Sequence, residues 1–349
     1  MEPLRVLHVV PNMQAAGLET LIMNMYRNID RTKVQFDFLV HYNERYFYDD
    51  EIESLGGKIY RLSFRNDGNI FKYIRDLDCF FRNHSYTIVH GHMASTACFY
   101  LKMANKYGVP VRIIHSHNTS TERTVKGFIK HELLKYSTLF ANQNFACGIM
   151  AGNYLYGHRD FTIVHNAVDL EKFKPDLLIG EQLKQEYGLD KSFVIGHIGR
   201  FNSQKNHKFL INMFSKLVLK IPNAVLLLVG EGELKETIVK QVDDLGLQNH
   251  VRFLGIRSDT YAIYNMIDVL TLPSLFEGLP VVAIECQACG KKLLVSDSVT
   301  KEIAITDLVE YLSISSDSQE KWINKLYEIY STRNYPQSTY HYNTVKNEL

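Results

Sequence analysis

The stretch NAVDLEKFKPDLLIGEQLKQEYGLDK, residues 166–191, is where the pattern of this chain stops and then starts again. It is polar, carries Pro175, and has room for one short helix. On its N-terminal side, short apolar runs rich in β-branched residues stand at 4–10, 35–40, 58–61, 87–90, 111–115, 143–146 and 161–164. Longer amphipathic segments, such as 18–28, 70–82 and 95–106, lie between them. On its C-terminal side the alternation resumes, with strand-like runs at 193–198, 225–229, 251–254, 269–272 and 292–295. Helical patterns separate these at 206–220, 233–245, 260–266 and 280–288. Runs that are apolar without alternation suit strands buried on both faces, hence parallel sheets with helices covering them. The expected fold is α/β: two doubly wound, Rossmann-like domains facing each other across a cleft. The expected boundaries are 1–170, a hinge at 171–192, 193–330, and a polar, Tyr-rich tail at 331–349, with packing back on the first domain as one option.

The 349 residues are enough for two cores, and 46% hydrophobic with 22% charged is ordinary globular composition. No window approaches 18 consecutive apolar residues, so no transmembrane helix is expected. The start, Met1-Glu2-Pro3-Leu4-Arg5, has no secretory pattern, and the expected location is cytoplasmic. A net charge of +1 argues against a dedicated nucleic-acid partner. The cysteines, Cys79, Cys98, Cys147, Cys286 and Cys289, are odd in number and dispersed, which suits reduced thiols. Cys286 and Cys289 form a single CxxC without a second ligand pair, and read as small buried residues on a helix.

In open parallel sheets, ligands sit beyond the carboxyl ends of the strands, where helix N-termini direct N–H groups at anions. The unusual residues of this chain fall there. The first strand runs into Pro11-Asn12-Met13-Gln14-Ala15-Ala16-Gly17, small residues that allow close backbone approach. This is not GxGxxG, which disfavours a nicotinamide enzyme. His90-Gly91-His92 ends one strand and His115-Ser116-His117 another. Residues two apart share a face of a strand, so a metal is geometrically allowed, but no acid or thiol completes a ligand set. They read better as polar contacts to a substrate, with no metal required. The second domain opens with Gly196-His197-Ile198-Gly199-Arg200, and Lys205 follows at a helix start. A lysine there opposes the helix dipole, at a cost of a few tenths of a kcal/mol, unless an anion is present. Arg200 and Lys205 over a helix N-terminus suit a diphosphate. In Phe276-Glu277-Gly278-Leu279-Pro280-Val281-Val282-Ala283-Ile284-Glu285, two glutamates stand eight apart. Glu285 falls about one and a half turns into an otherwise apolar helix, where a carboxylate needs a polar partner such as a ribose diol.

On these residues the chain resembles glycosyltransferase family 4, retaining enzymes of the GT-B fold. The carriers are Glu277-Gly278-Leu279-Pro280 with Glu285, Gly199-Arg200-Phe201 with Lys205, Val229-Gly230-Glu231-Gly232, Arg252-Phe253-Leu254-Gly255, and Ile163 to Asp169 before the hinge. The chain departs from the family at Ala16-Gly17, where paired glycines are usual, at Ala167 after Asn166, and at Lys291 after Gly290. It departs again at Ser298 to Glu302, where a Gly-Gly-x-x-Glu-like segment is expected. The resemblance implies that Gly199, Arg200 and Lys205 hold the donor diphosphate, Glu285 the ribose, and Phe253 with its neighbours the base. Glu277, with the backbone of Gly278 and Leu279, would hold the donor sugar. Gly17, with the strand-end residues Gly91, His92 and His115 to His117, would complete the site, His117 projecting further than His115. The implied reaction moves a hexose or N-acetylhexosamine from a nucleotide-diphosphate sugar, UDP-linked by preference, to a hydroxyl of a glycan or lipid-linked acceptor. Same-face attack aided by the leaving phosphate is preferred, with no cofactor and no essential metal.

Two rivals stand beside it: a sugar-nucleotide epimerase and a non-enzymatic two-domain sugar-binding protein. The segment 123–136, RTVKGFIKHELLKY, combines basic residues with a partial apolar stripe. Core packing with a solvated basic face and docking on the anionic inner membrane surface are both open readings.

Overall fold

The computed structural model describes residues 2–120, 125–315 and 317–333. It divides between Asn166 and Ala167 into two units. The first is built on seven parallel strands: β1 (Leu4–Val10), β2 (Val34–Val40), β3 (Ile59–Arg61), β4 (Ile88–Gly91), β5 (Val111–Ser116), β6 (Gln143–Ala146) and β7 (Thr162–Ile163). Their order in the sheet is β3-β2-β1-β4-β5-β6-β7. The second holds β8 (Phe193–Ile198), β9 (Ala224–Val229), β10 (Val251–Gly255), β11 (Val269–Leu272), β12 (Lys292–Ser296) and β13 (Val309–Leu312), ordered β10-β9-β8-β11-β12-β13. Each sheet is doubly wound. The chain builds outward from its first strand in one direction, then crosses to that strand's other side. Each therefore has a switch point, between β1 and β4 and between β8 and β11, where loops leave in opposite directions and a crevice opens.

Burial explains the parallel arrangement. Every residue of β8 (FVIGHI) and β9 (AVLLLV) is buried, so both sheet faces need helical cover. In β1 the two faces separate by period. Val6 and Val10 pack with Met23, Phe36 and Phe38 beneath the helix Gly17–Asn28, whereas Leu7 and Val9 join Tyr73, Leu77 and Leu101 on the other side. In the second unit the core gathers around the helix His207–Lys220 and Trp322, whose ring meets Phe209 edge-on at 5.8 Å.

The second unit takes in more of the chain than its expected span of 193–330. The segment 171–192, expected as a hinge and connector, groups with the second unit. Its helix Leu177–Glu186 packs so closely that a Cβ on Gly180 would come within 2.4 Å of the Asn265 carbonyl oxygen, and Lys184 pairs with Asp268 at 3.1 Å. β13 and the helix Gln319–Thr332 extend the second unit beyond the last strand expected, and this helix runs past residue 330. Residues 334–349, most of the expected tail, lie outside the described residues. The cysteines are free, and Cys286 and Cys289 are buried with their thiols against the carbonyls of Lys291 and Phe173.

Candidate functional site

In the second unit, the loops after β8 and β9 are locked together by backbone. Gly199 N–H donates to Val229 and Phe201 N–H to the Glu231 carbonyl. Gly230 holds φ +133°, and a Cβ there would fall 2.2 Å from the Gly199 carbonyl oxygen; at Gly232 it would meet Phe201 oxygen at 2.5 Å. These glycines let the β8 and β9 loops touch main chain to main chain. Gly199 itself makes room for Lys205, since a Cβ there would stand 2.9 Å from Lys205 Cε.

That room aims the lysine. Lys205 Nζ meets Glu277 Oε1 at 2.7 Å, with side chains only 13% and 9% exposed. Gln204 Nε2 donates at 3.0 Å both to the other Glu277 oxygen and to the Phe276 carbonyl. Leu275 N–H returns a bond to Gln204, and Asn206, left-handed at φ 55°, donates to the Pro273 carbonyl at 3.2 Å. The loops after β8 and β11, on either side of the switch point, thus form one unit around a buried ion pair. His197 and His207 lie beneath it. Burial, with a smaller push from Lys205, lowers His197 to about 4 and His207 to about 2, so both are neutral. The helix His207–Lys220 starts without a side-chain cap, leaving its N-terminal N–H groups as an anion-favouring end. Arg200 stands at the rim, half-exposed, paired to Glu233 at 3.1 Å.

Glu285 is buried on the helix Val281–Ala288, which begins after Pro280 at its N-cap. Its partner within the chain is Tyr264, whose hydroxyl donates to Oε2 at 2.8 Å. Burial raises Glu285 to about 7, against the opposing pull of that hydrogen bond and of Lys172. The polar partner expected for this carboxylate was a ribose diol, and Tyr264 was missed. Gly278 and the Leu279 side chain are buried. Phe253 is half-buried and packs onto the unit's core with its ring 6.1 Å from Phe201, so only part of that ring is left for a base.

In the first unit, sheet register gathers five histidines on one face. His8 of β1 pairs across to His90 of β4, and His90 to Ile113 of β5. Two residues on from these lie His92 and His115, and His117 follows at the next step, all on the same face by strand period. The rings touch: His8 Nδ1 to His92 Nε2 at 3.0 Å, His92 Nδ1 to His117 Nε2 at 2.9 Å, and His90 Nε2 to His115 Nδ1 at 3.1 Å. Burial lowers all five, His8 to about 3 and His115 to about 4, with neighbouring rings adding to the push at His8, His90, His92 and His117, so the rings are neutral. Ligand-capable nitrogens of His8, His90 and His92, and of His92, His115 and His117, lie within 4.8 Å of one another. Two nitrogens on one tetrahedral zinc stand about 3.3 Å apart, given metal–nitrogen bonds of about 2.0 Å. At 2.9–3.1 Å, three pairs of these ring nitrogens stand at hydrogen-bond distance, which is close to that spacing as well.

His115 is buried against His90, whereas His117 is half-buried at the strand's end. Gly91 has a packing reason, since a Cβ there would meet the Tyr100 hydroxyl at 2.1 Å. Gly17 has none: nothing lies within 4 Å of the Cβ it lacks, so the fold alone does not require glycine. We therefore expect His117→Ala to lower turnover at least tenfold with donor affinity nearly unchanged, and His115→Ala mainly to lower the melting temperature. The reverse pattern in steady-state kinetics and thermal melts would move the role to His115.

Comparison with known proteins agrees with this geometry. Residues 15–172 match the model described as Glycosyltransferase Family 4, and residues 180–344 that described as Glycosyl transferases group 1. The chain is 36% identical over 322 residues to the named glycosyltransferase EpsF of Bacillus subtilis (strain 168), covering 89% of this chain and 84% of that protein. It is 27% identical over 261 residues to the UDP-Gal:alpha-D-GlcNAc-diphosphoundecaprenol alpha-1,3-galactosyltransferase of Escherichia coli, covering 71% and 67%. Among solved structures, HepE of Anabaena in complex with UDP-glucose superposes with a TM-score of 0.79 at 17% identity, over 98% of this chain and 94% of that one. WaaG, a glycosyltransferase involved in lipopolysaccharide biosynthesis, gives 0.74 at 14% identity, over 98% and 94%. These two likenesses support the GT-B fold. The family models and the EpsF match carry the rest: this chain belongs to glycosyltransferase family 4 and is a glycosyltransferase.

Proposed function

We propose that the chain moves a hexose or N-acetylhexosamine, with retention at C1, from a nucleoside diphosphate sugar to a hydroxyl of a glycan or lipid-linked acceptor, UDP being the preferred carrier. The observation that carries this reading is the buried Lys205–Glu277 pair, 2.7 Å apart at the switch point of the second sheet. It offers a cation for a diphosphate and a carboxylate for sugar hydroxyls side by side. Arg200 adds a second cation, and Glu285 meets the ribose. His117 hydrogen-bonds a hydroxyl of the transferred sugar or acceptor. The E. coli galactosyltransferase's name specifies UDP-Gal and a diphosphoundecaprenol-linked acceptor, and HepE binds UDP-glucose, which supports the same classes here.

In the proposed step the bond from C1 to the diphosphate oxygen breaks, the acceptor oxygen bonds C1 from the same face, and the acceptor's proton passes to the departing phosphate. Fixed positive charge from Lys205, Arg200 and helix N–H groups stabilises the leaving group as charge develops, so no metal is required. A panel of sugar nucleotides tested for thermal stabilisation in the presence of chelator examines the reading. UDP-sugars should raise the melting temperature more than free sugars or AMP. No stabilisation by any sugar nucleotide would sink it.

Contact with an anionic membrane surface is part of the proposal. Phe128 and Ile129 of the helix Val125–Leu134 are 66% and 54% exposed, which core packing does not explain. Arg123 and the side chains of Lys126 and Lys130 lie outside the described residues. The chain should co-sediment with anionic vesicles at low salt, and Phe128→Ser with Ile129→Ser should abolish it. Equal binding by the double variant rejects the contact.

A further inference from the structure

We infer that His8 and His92 are positioning residues that fix His117 in the tautomer carrying its proton on Nδ1, so that this ring meets the substrate as a hydrogen-bond donor. This rests on the reading of His117 as a substrate contact.

Two contacts among three neutral rings fix where the protons sit. A neutral imidazole has one N–H and one lone pair. The three rings make two contacts, His8 Nδ1 to His92 Nε2 and His92 Nδ1 to His117 Nε2, and each contact takes one proton. Only two complete orders exist. In the first, His8 donates to His92 and His92 to His117, leaving a bare lone pair on His8 Nε2 and an N–H on His117 Nδ1. In the second, every proton is reversed: His8 Nε2 carries an N–H and His117 Nδ1 a lone pair.

The far end of the chain decides between them. His8 Nε2 is buried with no hydrogen-bond partner among the described residues, and the His8 ring packs against those of Phe36, His90 and Phe38, with centroids 4.3, 5.1 and 5.7 Å away. A buried N–H without an acceptor is costlier than a buried lone pair, and such groups are correspondingly rare. The buried, unpartnered Nε2 of His8 therefore selects the first order, and the choice is transmitted through His92 to the ring at the strand's end. The neighbouring pair obeys the same rule. His115 Nε2 is also buried without a partner among the described residues, and His115 Nδ1 faces His90 Nε2 at 3.1 Å, so His115 too should carry its proton on Nδ1. Burial keeps the rings neutral, as the counting requires. An N–H on His117 Nδ1 suits the proposed role, because a hydroxyl oxygen of the bound sugar or acceptor can accept it.

The test is long-range proton–nitrogen correlation spectroscopy on the full chain labelled with ¹⁵N-histidine at neutral pH, with His117 assigned by loss of its signals in His117→Gln. The expected result is a protonated Nδ1 and an unprotonated Nε2 at His117, with the first form at least ten times the second. His8→Leu removes the first donor and should mix the two tautomers at His117. It should also lower kcat at least fivefold with KM for the donor unchanged. His8→Asn places an amide N–H where Nδ1–H was and should restore both. A protonated Nε2 at His117 in the unsubstituted chain overturns the inference without any variant needing to fold. So does an unaltered His117 tautomer in a folded His8→Leu chain. Normal turnover in His117→Gln would instead overturn the substrate contact, while the tautomer measurement would still stand or fall by itself.

Discussion

Lys205→Ala should produce a large loss in stability and in donor binding together. The substitution strips a buried carboxylate of the cation 2.7 Å away. Breaking a buried pair by removing one partner costs about 3–5 kcal/mol, because the remaining charge stays desolvated. In a unit of this size that lowers the melting temperature on the order of 10 °C. Binding of a nucleoside diphosphate should fall roughly ten- to a hundredfold with the lost charge-assisted contact. Glu277→Gln separates the two effects. It also unpairs a buried charge and should destabilise, but it keeps the cation, so a nucleoside diphosphate should still bind and should stabilise this variant more than the unsubstituted chain. Calorimetry and thermal melts on both variants decide the matter. If Lys205→Ala binds diphosphate normally, the lysine serves only the fold.

Glu285→Gln should do the opposite to stability. A carboxyl raised to about 7 in the fold, from an ordinary value of 4.5, is protonated in the native state over a range where the unfolded chain has released its proton. The unfolded state then binds fewer protons, so stability falls as pH rises from about 4.5 to about 7. The loss accumulates to about 3 kcal/mol, at 1.36 kcal/mol per unit. Glutamine keeps an oxygen for the Tyr264 hydroxyl and does not titrate. At pH 8 the variant should therefore be more stable, with the advantage vanishing near pH 4.5. Donor affinity should still drop about ten- to a hundredfold, because a carboxylate accepting from a diol is lost. Denaturant titrations at the two pH values and donor binding at pH 8 check both halves. A variant no more stable at pH 8 would mean the carboxylate is well compensated, and unchanged binding would remove it from the ribose.

Most of the fold was legible because its strands are apolar runs without alternation, the mark of burial on both faces. β1, β6, β8 and β11 fall where the runs fall. β13 escaped because Val309–Leu312 is an edge strand, half-buried along its length and interrupted by Glu310. The helix that follows was legible in principle, since Trp322, Ile323, Leu326 and Ile329 form a stripe at helical spacing. The site was legible as residue types and not as partnerships. Lys205 and Glu277 were each read as ligand contacts, but they lie 72 residues apart and only the order β9-β8-β11 makes them neighbours. Tyr264 looked like one aromatic on a short helix until packing set its hydroxyl against Glu285. His8 was hidden inside an apolar run, and its place in the histidine chain depends on the His8–His90 register, which periodicity within one strand does not contain.

The central claim is transfer of a sugar from a nucleoside diphosphate with retention. It is tested most directly by incubating the chain with a UDP-sugar and candidate acceptors, then measuring the free UDP and the anomeric configuration of any glycoside by NMR. The expected result is UDP and glycoside in equal amounts, with the configuration at C1 matching the donor, and no product from Lys205→Ala. An inverted glycoside, or a new sugar nucleotide formed without release of UDP, would contradict it.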